Sequence, residues 1–194
     1  MILLALVGVL SGMLSGTASA SEDGPAEAYA RMVQSGRLSA ADREILLRSP
    51  EIARTVVDPG RTTVEQHVRP ADGNEPGVQS GCWIGEASVD GYYVLGEWAF
   101  TFTYRVDWCE DANVVLGVHY RQGSTRLNTF MRDRGVSENW VTPTPSRTVT
   151  TKWKQHVENC PLLLPCTWSN YPYVVWHLTA DPFGTDWSER GIEG

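Results

Sequence analysis

Asp107, Glu110, Asp111 and Asn113 place four oxygen-bearing side chains within seven residues. Calcium takes six to eight oxygen ligands and can use such a loop. The same residue types also build an ordinary hairpin turn, and the glycine-punctuated spacing of an EF-hand is missing. The turn is the simpler reading, and the four residues stand only as calcium candidates. The four histidines, His67, His119, His156 and His177, show no metal-ligand spacing. His119 and His156 fall opposite the apolar positions of their segments, which places them in solvent. His177 shares a strand face with Tyr173 and Val175 and has Asp181 nearby. A general base can be built that way, but a hydrogen-bonded structural histidine is the simpler outcome. Glu86 and Glu97 are the one carboxyl pair that a glycosidase reading could use. Nucleophile elbow, H-E-x-x-H, phosphate-loop and dinucleotide signatures are all missing. The sequence therefore points to no catalytic residue, no resident metal and no cofactor.

The aromatic residues say more. The chain holds eight Trp and seven Tyr, residue types favoured where an apolar ring must also meet a polar partner. Trp98, Trp108 and Trp153 lie on otherwise apolar strand faces and belong to the core. Trp83, Trp140, Trp168, Tyr171 and Trp187 lie near turns or loops. These five are candidate binding residues, the first four the leading ones, with packing over the ends of the core as the alternative. Leu163 joins them, because it sits at the centre of Cys160-Pro161-Leu162-Leu163-Leu164-Pro165-Cys166.

Those side chains must be positioned by a disulfide-stapled sheet structure. The cysteines are Cys82, Cys109, Cys160 and Cys166, an even count that implies two disulfides in an exported protein. Three connectivities are possible; Cys82–Cys109 with Cys160–Cys166 is favoured, the second pair closing the short apolar loop. Zinc would need paired C-x₂₋₄-C spacing, which is absent. With all four cysteines in disulfides no thiol nucleophile remains.

The clearest strand is Glu97 to Trp108, where Trp98, Phe100, Phe102, Tyr104, Val106 and Trp108 alternate with mostly polar residues. One wet face and one buried face mean an antiparallel sheet. A turn at 110–113 leads to a return strand carrying Val114, Leu116, Val118 and Tyr120. A second turn is expected at 121–124, and further strands at 62–68, 127–131, 140–142 and 147–157. The nearly apolar segment 173–179 reads as a strand buried on both faces or as a covered edge. Turn chemistry every ten to fifteen residues points to a mainly β fold, an antiparallel β-sandwich or small barrel.

Three short helices precede the strands. Pro25 to Gln34 is followed by Gly36 at the C′ position. Ser39 with Asp42 resembles a capping box. Ser49-Pro50 opens a third helix that carries Ile52, Val56 and Val57 and stops at Asp58-Pro59-Gly60. The expected organisation is thus a signal peptide over 1–20, a helical arm over 21–60, a first strand and Pro/Gly-rich linker over 61–81, a β domain over 82–180 and a loose polar tail over 181–194.

The leader reading rests on the apolar run Ile2 to Leu10 followed by Ala18-Ser19-Ala20, an A-x-A cleavage signal. No Lys or Arg precedes the run, so its n-region charge is the α-amino group's alone or the start codon lies upstream. The small and polar residues from Ser11 to Thr17 dilute the run below a membrane span. Secretion is expected, with no stable membrane insertion after cleavage. Residues 1–20 carry no charge, so the remainder keeps the formal net charge of −7. That balance argues against nucleic acid as a partner.

Gly81-Cys82-Trp83, a glycine-containing turn and an aromatic strand ending in Asp107-Trp108-Cys109 resemble small secreted Cys/Trp-rich β-sandwich proteins of actinobacteria, most of them without an assigned function. The resemblance covers roughly residues 81–180. It implies a β-sandwich with Cys82 bonded to Cys109, and it implies no catalytic residues.

The leading functional expectation is a secreted, non-catalytic interaction module: an adaptor or accessory subunit of an extracellular assembly such as a toxin particle, whose partner is another secreted protein. On that view the helical arm docks the partner, and deleting residues 21–60 abolishes binding while leaving the β domain folded. Two alternatives are a carbohydrate-binding module for cell-wall or environmental glycan, and a hydrolase inhibitor or small hydrolase that uses the braced loop.

Overall fold

The computed structural model describes residues 23–71, 80–111, 114–166, 168–180 and 187–193. The leader reading and Asn113 lie outside these residues. Three helices come first: α1 (Pro25–Ser35), α2 (Ala40–Leu47) and the single turn α3 (Pro50–Ala53). Eight strands follow: β1 (Val57–Pro70), β2 (Ser80–Tyr93), β3 (Trp98–Asp111), β4 (Val114–Leu127), β5 (Met131–Val141), β6 (Thr148–Asn159), β7 (Trp168–Thr179) and β8 (Trp187–Glu193).

The helix ends obey local chemistry. Gly36 takes φ 69° and its N–H donates to Met32 O, a conformation that glycine adopts without a Cβ penalty. Ser39 caps α2: its Oγ accepts from the Asp42 N–H at 3.0 Å and donates to the Asp42 carboxylate at 2.6 Å. Asp therefore serves in the capping box where Glu is usual. The Asp42 carboxyl is held below its ordinary range by the Ser39 hydroxyl, with Arg31 of α1 adding to the effect.

The strands form two four-stranded antiparallel meanders, β1-β2-β3-β4 and β5-β6-β7-β8. They are two sheets and not a closed barrel. Their inner faces meet through Ala87, Val89, Phe102, Tyr104, Val106 and Trp108 on one side and Val149, Val174, Trp176 and Leu178 on the other, all essentially buried. Tyr104 Oη and Thr151 Oγ1 join the sheets at 2.6 Å inside the core. Both disulfides are Cys82–Cys109 and Cys160–Cys166. The first links directly opposed positions of β2 and β3.

The helices are not a detachable arm. Tyr29, Met32, Leu46, Ala53 and Val56 are buried together with Tyr93, Phe100, Met131, Val157 and Trp168, closing one end of the sandwich. Deleting 21–60 removes part of the core, so the expectation of a folded remainder is corrected.

Other boundaries also shift. Val56 and Val57 leave the helix: α3 ends at Ala53 and β1 begins at Val57, because Val57 pairs with Tyr93. The 121–124 turn does not exist, since β4 runs unbroken to Leu127. The strand expected at 127–131 is instead the β4–β5 connection, held by Asn128 N–H to Ala99 O and Asn128 Nδ2 to Trp98 O, each 2.8 Å. β7 is buried on one face only, with Trp168, Asn170, Pro172, Val174, Trp176 and Leu178 inside and the intervening residues half-buried. Residues 187–193 are strand β8 paired to β7 and not loose tail. Trp98 leaves the core: a register irregularity at Gly91/Tyr92 turns it outward, where its N–H donates to Thr101 Oγ1 and the Arg126 guanidinium lies 4.6 Å from its ring centroid.

Candidate functional site

The Cys160–Cys166 loop is tied down at every side. Cys160 N–H donates to Phe130 O at 2.8 Å, Leu162 N–H to Thr55 Oγ1 at 3.0 Å, and Tyr29 Oη to Pro165 O at 3.4 Å. Pro161 is buried and Leu164 packs against the helical end of the core. Between these anchors Leu162 and Leu163 point away from the protein. Leu163 is 81% exposed and holds φ 63°. A branched side chain rarely adopts that left-handed backbone, and a leucine gains nothing from water. Beside the loop an apolar groove of about 410 Å³ is lined by Ala26, Tyr29, Ala30 and Val33 of α1, with Leu164 and Pro165. Leu164 and Pro165 belong to both loop and groove, and Gln34 completes the groove's lining.

The other candidates separate. Trp168 is 2% exposed, with its N–H donating to Asn170 Oδ1 at 2.8 Å. It is a core residue and not a binding residue, because the helices and β5 cover the end of β7 where it sits. Trp83 is half-buried at the end of the first sheet and donates to Glu110 Oε1 at 2.9 Å. Trp140 is 43% exposed on β5. Tyr171 on β7 stacks on His156, centroids 4.7 Å apart and planes at 19°. Trp140 and Tyr171 both lie on the outer face of the second sheet. The side chain of Trp187 lies outside the described residues.

The three calcium candidates among the described residues do not converge. Alternation along β3 puts Asp107 and Asp111 on the outer face and Glu110 on the other. Asp107 is held by Arg105 through two bonds of 2.8 Å. Burial pushes the Glu110 carboxyl above its ordinary range, and the Trp83 and Trp108 indoles only partly offset this. Glu158, Cys160 and Cys166 bring their ligand atoms within 4.8 Å, but both sulfurs are in the disulfide and Glu158 is bound by Arg134.

No catalytic pair assembles among the residues singled out. Glu86 faces Arg105 in β3, whereas Glu97 lies at the β2–β3 turn; eight residues of strand separate the two positions, about 26 Å. His177 meets Thr150 Oγ1 at 3.4 Å and Glu189 at 3.3 Å, the structural role expected of it; Asp181 lies outside the described residues. His119 is exposed as expected, whereas His156 is half-buried under its stack with Tyr171.

Sequence reasoning missed Ala26, Ala30 and Val33, whose groove exists only once the loop packs beside α1. It also missed Tyr173, Lys152 and Lys154 on the outer face of the second sheet. One signal could have found the lysines: they are the only two in the chain, and they flank Trp153 in sequence, on the face of β6 opposite Thr151 and Gln155. Among the described residues no helix is long and apolar enough to cross a membrane. In comparisons with known proteins, no family model, no curated protein and no solved structure matches the chain.

Proposed function

We propose that this is an exported, non-catalytic binding module that engages a partner protein through the Cys160–Cys166 loop and the adjoining α1 groove. The observation that carries this reading is Leu163: a leucine held in a left-handed backbone conformation and 81% exposed, on a loop otherwise fixed in place. Unfavourable backbone geometry of this kind concentrates where a surface is used. A braced loop loses little conformational freedom on binding, and burying one leucine side chain contributes about 1.5–3 kcal/mol. Two disulfides suit an oxidising compartment outside the cell, in keeping with the leader read from residues 1–20. The helices serve the site by building its groove and holding the loop. An inhibitor that inserts the loop into a hydrolase cleft is one form of the same reading, and the partner's identity decides it.

The test is capture from the producing organism's culture supernatant with the tagged protein, alongside Leu163→Asp. The expected result is a stoichiometric partner that the native protein retains and the variant loses, with the melting temperature unchanged. Equal capture by both, or none by either, overturns the proposal.

A further inference from the structure

The chain's two lysines stand side by side on the outer face of the second sheet. Directly opposed residues of antiparallel strands point the same way, so the register lays out two rows. One runs Trp140, Lys152, Val175, Glu189; the next runs Glu138, Lys154, Tyr173, Gly191. Gly191 gives the Tyr173 ring its place. A Cβ there would come within 3.2 Å of the ring, tighter than an ordinary contact, so a side chain at 191 would press on the tyrosine.

The lysines hold the rings and carboxylates in position. Lys152 Nζ lies 5.7 Å from the Tyr173 centroid, and Lys154 Nζ lies 5.4 Å from that of Tyr171. Glu138 receives both ammonium groups, at 2.7 and 3.2 Å, and Glu193 pairs with Lys154. The lysine side chains are only 17% and 13% exposed, less than the two carboxylates. Trp140 is therefore the one exposed ring of this face at 43%, with Tyr171 and Tyr173 half-buried beside it and the carboxylates standing further into solvent than the ammonium groups they pair with. Such rings are preset, and Tyr and Trp offer wide contact area with few torsions to freeze.

We propose that this face is a second ligand site, a platform for a neutral polysaccharide. It does not depend on the loop reading above. The chemistry selects the ligand class. Sugar rings present flat C–H faces to aromatic rings, and a hydroxyl donates and accepts at once, so adjacent hydroxyls can bond to a Lys–Glu pair without breaking it. An anionic chain would meet Glu138 and Glu193 first. A protein interface core is depleted in Lys and Glu, and both are present on this face.

The test is depletion of the full-length protein from solution by suspensions of cellulose, chitin and xylan. Retention on at least one is expected. Trp140→Ala and Tyr173→Ala should each weaken that retention about tenfold or more, while Leu163→Asp leaves it intact. Trp140 is the more exposed ring, so its variant decides if Tyr173→Ala lowers the melting temperature. No retention on any of the three, or full retention by Trp140→Ala, overturns the proposal. So does a captured protein partner whose binding is lost in Trp140→Ala while no polysaccharide is retained.

Discussion

Asn159 accepts the Val57 N–H through its Oδ1 at 3.0 Å, across 102 residues of sequence. Its Nδ2 donates to Thr55 O at 2.8 Å and to Phe130 O at 3.2 Å. One fully buried amide thus fastens the end of the helical segment to the second sheet and to the β4–β5 connection. Replacing it by leucine removes the partner of the Val57 N–H and of the Thr55 carbonyl, each worth about 1–3 kcal/mol, while Phe130 O keeps the Cys160 N–H. Asn159→Leu should lower unfolding free energy by roughly 3 kcal/mol in a urea titration. A loss below the error of the extrapolation would show that the amide is not what joins the helices to the sheets.

Glu110 gives a pH prediction. Burial raises its carboxyl pKa in the folded protein above its unfolded value. The folded state therefore holds the proton more tightly, and stability falls as pH rises from the unfolded pKa through the folded one. Glu110→Gln keeps an oxygen for the Trp83 N–H and carries no charge. The melting temperature of the variant minus that of the native protein should grow as pH rises from about 4 towards 7. A difference that stays constant over that range rejects a buried, charge-penalised Glu110.

The two disulfides should contribute unequally to stability. Cys82–Cys109 spans 27 residues and Cys160–Cys166 spans 6. Loop-closure entropy gives about 3.5 kcal/mol for the first and about 2 kcal/mol for the second. The paired Cys→Ser variants should rank accordingly in thermal melts. Only the Cys160→Ser/Cys166→Ser protein should lose partner capture, because only that bridge shapes the Leu163 loop. Partner capture lost equally in both variants, with both still folded, contradicts the placement of the site.

What was legible in the sequence follows from what each segment buries. β3 was plain because Phe102, Tyr104, Val106 and Trp108 face the core while Thr101, Thr103, Arg105 and Asp107 do not. β1 was legible only over 62–68, half of its span. It is an edge strand exposed over most of its length, so it has little need of an apolar period. β8, Trp-Ser-Glu-Arg-Gly-Ile-Glu, is polar for the same reason: it is an edge. Leu163 could be singled out because two cysteines six residues apart bracket it. Trp168 looked like a loop residue because nothing local reveals that α1 and β5 will cover it. A glycan reading with Trp140 and Tyr171 among its candidates was available from the sequence, but the arrangement of the platform was not. Trp140, Lys152, Tyr173 and Gly191 become neighbours only through the register of four strands.

Gly123 was misread most instructively, and it yields the last prediction. Arg121-Gln122-Gly123-Ser124 has turn composition, yet Gly123 sits within β4 opposite Tyr104. A Cβ at this position would run into the Trp153 indole. That indole packs at 5.7 Å on Tyr104 and donates to Gln155 Oε1 at 3.1 Å. The glycine is thus a seat for a tryptophan and not a bend. If its only role were conformational, Gly123→Ala would stiffen the unfolded chain and stabilise by about 0.4–1 kcal/mol. As a seat, it should instead destabilise by about 1–3 kcal/mol through overpacking. Pairing it with Trp153→Leu, which removes the clashing ring, should recover part of that loss, so the double variant loses less than the sum of the singles. Strict additivity, or a stabilised Gly123→Ala protein, would return Gly123 to the role its composition first suggested.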